Sequence, residues 1–122
     1  MQDTSKHDDP RIVFDRDLAL TSLGNDVQLM SELTELFISD VANMVEKIRD
    51  AARAGDGPSL GRAAHQLKGA ASNFHAQLTV EAAQRLERMG HANDLSGVPK
   101  ALEALLGEID RLKRELEKLI QA

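Results

Sequence analysis

The sequence predicts an all-α fold, an antiparallel up-down four-helix bundle with a short N-terminal capping helix. Three observations carry the prediction. The only prolines among 122 residues are Pro10, Pro58 and Pro99. They leave two uninterrupted stretches of about forty residues rich in Ala, Leu, Glu, Lys and Arg, which favour helix where proline breaks it. Strand signals are sparse: no Asn-Gly or Asp-Gly turn joins alternating apolar runs, and Asp56-Gly57 leads into Pro58 and a helical pattern. Apolar residues recur instead at three- and four-residue steps over long windows.

Each element has its own start and stop. A short first helix runs from about Asp15, a plausible N-cap, to Leu23, with Phe14 and Leu18 facing inward and Gly24 ending it. The second begins at Asn25 or Asp26 and runs to about Ala54, where Gly55 stops it; Met30, Leu33, Phe37, Val41, Met44 and Ile48 form its stripe. Asp56 caps the third, which has Gly57 and Pro58 in its first turn and continues to about Phe74. A fourth, from about Gln77 to Met89, buries Leu78, Ala82, Leu86 and Met89. The last begins between Ser96 and Pro99, and its Val98, Leu102, Leu105, Ile109, Leu112, Leu116 and Leu119 make a coiled-coil-like seam. Short connections between helices of this length make neighbours antiparallel.

Composition narrows the function. A chain of this length fits one domain, expected over residues 12–122 behind a flexible segment 1–11. Hydrophobic residues at 42% and charged residues at 29% describe a globular chain. No cysteine is present, which removes disulfides, thiolate metal sites and cysteine catalysis. A net charge of −5, with no Trp or Tyr and three Phe, argues against nucleic acid as a partner. No apolar run suits a signal peptide or a spanning helix, so no membrane association is expected and the cytoplasm is the expected location.

The informative segment is the third helix, Gly61 to Phe74. With His65 at zero and about 100° per residue, Leu60, Ala63, Leu67, Ala70, Ala71 and Phe74 gather opposite it as the buried stripe. Gly61, Lys68, Gly69 and Ser72 fall within about 60° of His65. The histidine is therefore expected to be exposed, ringed by small residues and one cation. Glycine inside a helix costs roughly 0.5 to 1 kcal/mol relative to alanine, so two of them one turn to either side of a histidine call for another reason. Bare neighbours let a second molecule approach the imidazole, and an ammonium one turn away can sit beside a negative group that the imidazole acquires. An exposed, largely uncharged imidazole is a nucleophile near neutral pH. The face suits a phosphoryl group.

His65-Gln66-Leu67-Lys68-Gly69, preceded by Ala64 and followed by the Ala-rich run to Phe74, resembles the signature of histidine-containing phosphotransfer (HPt) domains. Phe14-Asp15, Leu36-Phe37, Ala54 to Asp56 and Leu86-Glu87 also resemble family positions, so the likeness spans roughly residues 12–120. The resemblance implies a phosphorelay intermediate in which His65 accepts a phosphoryl group from a receiver-domain aspartate and passes it to another receiver. By the same carry-over Lys68 stabilises phosphoryl oxygens and Gly69 gives steric access; Gly61, on the same face of the wheel, is a second access candidate, and Ser72 is a weaker candidate for polar support. Partners would be response-regulator receiver domains and a hybrid sensor histidine kinase. The chain shows no Walker loop, kinase glycine loop or clustered carboxylate motif, so no cofactor or metal is expected on it and magnesium is expected in the receiver. It is expected to act as a monomer without kinase activity of its own.

One departure is His75, which stands where the family usually has a glycine at the end of that helix; histidine tolerates positive φ better than most residues. Antiparallel pairing about a turn near Ala76 brings the region from Gln84 to Arg88 level with His65, without choosing among those residues. His7, His75 and His91 read as surface or turn residues, and His65 and His75 cannot share a metal, being about 15 Å apart along a helix. The alternative function is a structural or dimerising helical bundle without phosphotransfer, resting on the C-terminal seam. Two further rivals are the dimerising region of a histidine kinase and a phosphatase-type accessory acting on receivers.

Overall fold

The computed structural model describes residues 13–121; the expected segment 1–11 lies outside them. Five helices follow one another: α1 (Arg16–Ser22), α2 (Val27–Ala54), α3 (Gly57–Ser72), α4 (Gln77–His91) and α5 (Val98–Gln121). No strand occurs among the described residues. Helices α2 to α5 pack as a closed bundle, with α3 against α4 the most extensive contact and α1 resting on α2. None of the helices is long and apolar enough to cross a membrane.

The starts are set by aspartates. The side chains of Asp15, Asp26 and Asp56 accept hydrogen bonds from the backbone N–H of Leu18, Leu29 and Ser59 at 3.0, 2.9 and 3.1 Å, satisfying donors that the first helical turn leaves free. The Ser59 hydroxyl also donates to Asp56, which holds that carboxyl below its ordinary value. Gly55 ends α2 with φ of 66°, and Gly24 and Asn25 turn the chain from α1 into α2 in the same left-handed region.

Leu60, Leu67, Leu86, Leu105, Leu112 and Leu116 are fully buried in the core. Phe74 closes one end, edge-on to Phe37 and Phe14 with ring centroids 5.5 and 6.0 Å away. The seam residues Val98, Leu105, Ile109, Leu112 and Leu116 are buried within the chain's own bundle.

Three local expectations shift. Leu18 is 46% exposed, and Ala19 is the residue of α1 that is buried; a two-turn helix lying across a bundle end presents a narrow strip to it. In α4 the buried positions are Thr79, Ala83, Leu86 and Gly90, with Leu78, Ala82 and Met89 only half-buried. The stripe is rotated because α3 approaches over the small residues. Helix α3 ends at Ser72, and Phe74 lies in the following turn.

Candidate functional site

His65 stands outward on α3, its side chain 66% exposed. Leu60, Ala64, Leu67 and Ala71 anchor the opposite face in the core, so the imidazole rides on a rigid support. Across from it α4 presents Glu87, whose side chain is only 14% exposed. His65 Nδ1 lies 2.7 Å from Glu87 Oε2, and Lys68 Nζ lies 2.7 Å from Glu87 Oε1. One carboxylate thus bridges the two α3 residues that the sequence singles out. The Lys68 ammonium holds that carboxyl below the ordinary glutamate value; burial opposes this and the His65 contact adds to it.

An ionised carboxylate can only accept a hydrogen bond. The proton in the His65–Glu87 contact is therefore assigned to Nδ1, and in the neutral ring the Nε2 lone pair is free.

The sequence candidates are not all placed alike. Gly69 is exposed with nothing within 4 Å of where a Cβ would stand. Gly61, expected on the same open face, is buried: a Cβ there would fall 2.8 Å from His91 Cε1 and Nδ1. A helical wheel fixes direction about one axis without saying where the next helix lies, and α4 covers that flank. Gly61 is thus a packing residue, not an access residue. The Ser72 hydroxyl donates to the backbone carbonyl of Lys68 at 2.8 Å, so its proton is spent one turn back along the helix and does not reach the imidazole. His75 has φ of 52° and shares a 2.9 Å hydrogen bond with Ser22 Oγ, joining the α3–α4 turn to α1.

Two residues of the site lie outside that set. Glu87 is the only carboxylate between Gln84 and Arg88, and the need for an acceptor at a protonated ring nitrogen beside a lysine would have selected it. His91, expected as an ordinary surface histidine, shares a shallow groove with Arg62, His65 and Glu87; its Nε2 is 3.7 Å from Glu87 Oε2. No group of three or more His, Asp or Glu able to hold a metal ion occurs among the described residues.

Comparison with known proteins bears on the fold and the family. No curated protein sequence matches the chain. Among solved structures it is similar to histidine-containing phosphotransfer protein B (HptB) from Pseudomonas aeruginosa PAO1, with a TM-score of 0.82 and 25% identity over 89% of this chain and 95% of that one. The HPT domain of an Hpt sensor hybrid histidine kinase from Shewanella shares the fold, with a TM-score of 0.77 and 20% identity over 89% and 94% of the two chains. The Hpt domain profile matches residues 32–121, and the chain belongs to that family, a phosphorelay histidine phosphotransfer domain on a helical bundle.

Proposed function

We propose that His65 is the phosphoryl acceptor, receiving on Nε2 from the aspartyl phosphate of one receiver domain and passing it to the aspartate of another. The observation that supports this is the 2.7 Å contact between Nδ1 and a half-buried, ionised Glu87 on an imidazole otherwise open to solvent. As the Nε2 lone pair forms the N–P bond, the P–O bond to the receiver aspartate breaks and its electron pair leaves with the carboxylate. No proton has to depart, because Nε2 carries none. The ring becomes cationic, and Glu87 stabilises it through Nδ1–H. Passing the group on reverses the step.

Lys68 serves the phosphoryl oxygens from one turn away, turning its ammonium from Glu87 toward them. Gly69 leaves the approach open. Beside it, between α2 and α3, lies a shallow groove in which Leu33, Leu36, Phe37 and Met44 stand with polar Asp40 and Gln66, Leu36 being 55% exposed; this mixed surface suits transient docking of a receiver. The receiver supplies its acidic pocket and magnesium. The chain contributes a positioned nucleophile, acting as a monomer, in the cytoplasm, without kinase activity of its own.

The test is to mix the protein with a phosphorylated receiver and follow acid-labile, base-stable phosphate on the chain. Wild type should take up one equivalent and His65→Gln none. Label retained by the variant would overturn the assignment.

A further inference from the structure

His91 lines the acceptor groove, and the transfer just described gives it no task. We infer that His91 is a positioning residue for the incoming phosphoryl group, its protonated ring favouring the group's arrival at His65. The inference rests on His65 being the acceptor.

Its placement is built into the packing. The ring lies over Gly61, where any Cβ would be 2.8 Å from two of its atoms. The missing side chain therefore makes room for this imidazole beside α3. From there its Nε2 is 3.7 Å from the Glu87 oxygen that His65 Nδ1 already contacts at 2.7 Å. The groups facing it are Arg62, His65 and, across the carboxylate, Lys68 on α3, with Glu87 on its own helix.

Charge decides what a proton on His91 does. Before transfer Lys68 matches the negative charge of Glu87 on the other oxygen at 2.7 Å, and as Lys68 turns to the phosphoryl oxygens the charge developing on the His65 ring takes its place. A proton on His91 is then surplus positive charge, which joins that of Arg62 in the groove. A phosphoryl group brings close to two negative charges into that space, so the protonated ring attracts it and the neutral ring does not. An imidazole gains its charge as the pH falls, and the effect is read as a pH dependence.

Phosphoramidate provides a probe that needs no partner. Transfer breaks its P–N bond, releases ammonia and forms the N–P bond on His65. Labelling rates of wild type, His91→Gln and His91→Lys would be compared from pH 6 to 8.5, each variant as a ratio to wild type so that the donor's own pH dependence cancels. His91→Gln should be roughly threefold to tenfold slower at pH 6 and within about twofold at pH 8.5. His91→Lys, charged throughout, should match wild type at pH 6 and exceed it at pH 8.5. A ratio for His91→Gln that is flat across the range would overturn the inference and leave the acceptor assignment standing. Equal labelling of His65→Gln and wild type would overturn that assignment instead.

Discussion

Gly90→Ala and Gly69→Ala are the same chemical change with opposite expected outcomes. A Cβ on Gly90 would fall 2.5 Å from Gly61 N, 2.6 Å from Gly57 O and 2.9 Å from Gly61 Cα. All three atoms are main chain, so no side chain can swing aside. Helix α4 must retreat from α3 by about 1 Å to restore ordinary contact. Overpacking of this kind costs roughly 1 to 3 kcal/mol, with rigid backbone toward the upper end, and the gain in helix propensity returns at most about 1 kcal/mol. The net expectation is a loss of about 2 kcal/mol. At Gly69 nothing lies within 4 Å, so only propensity acts and alanine should stabilise by about 0.5 kcal/mol. Urea unfolding followed by circular dichroism separates the two. With a slope of about 2 kcal/mol per molar, Gly90→Ala should lower the midpoint by about 1 M and Gly69→Ala should raise it slightly. A Gly90→Ala protein as stable as wild type would refute the close approach of the helices. The retreat also carries Glu87 away from its α3 partners, so that variant should transfer poorly even where it is fully folded.

Glu87 ties stability to acid. Its folded-state carboxyl titrates below the ordinary 4.5, so its contribution is complete above that pH and lost as the pH falls through the lower folded value. Glu87→Gln should be less stable than wild type by about 1 to 2 kcal/mol at pH 7 and should lose less between pH 7 and pH 3; urea midpoints at several pH values check both, and parallel curves would disprove the pairing. At His75, φ of 52° means that both alanine and glycine lose the Ser22 hydrogen bond but only alanine keeps the left-handed strain. His75→Gly should therefore exceed His75→Ala by about 1 kcal/mol in the same assay.

Much of the bundle was legible because helix signals are local. Asp15, Asp26 and Asp56 each sit at the start of a helix and accept the expected backbone hydrogen bond, and Gly55 stops α2 as its left-handed φ requires. The outward histidine was equally legible, since the buried stripe of α3 alone defines its opposite. What failed was information about neighbours. Leu18 carries a core side chain on a helix too short to bury it, and Gly61 lies on the flank that α4 happens to cover.

Glu87 exposes the deeper reason. Antiparallel pairing about Ala76 restricts the partner of His65 to about five residues, yet a shift of a single residue along α4 would rotate the carboxylate by roughly 100° out of the site. The turn cannot fix the register so finely, because Ala76, at the N-cap of α4, offers no side-chain cap. Backbone contact can. Gly90 seats against Gly57 and Gly61 at distances that only hydrogen would permit in place of Cβ, so it locks α4 lengthwise and in rotation against α3. Glu87 precedes Gly90 by three residues, one turn of the same helix, and is carried into line with His65 and Lys68. The glycine that sequence reasoning placed beside the histidine to clear a path for another molecule thus acts through the fold: it sets the position of the carboxylate that holds the histidine proton.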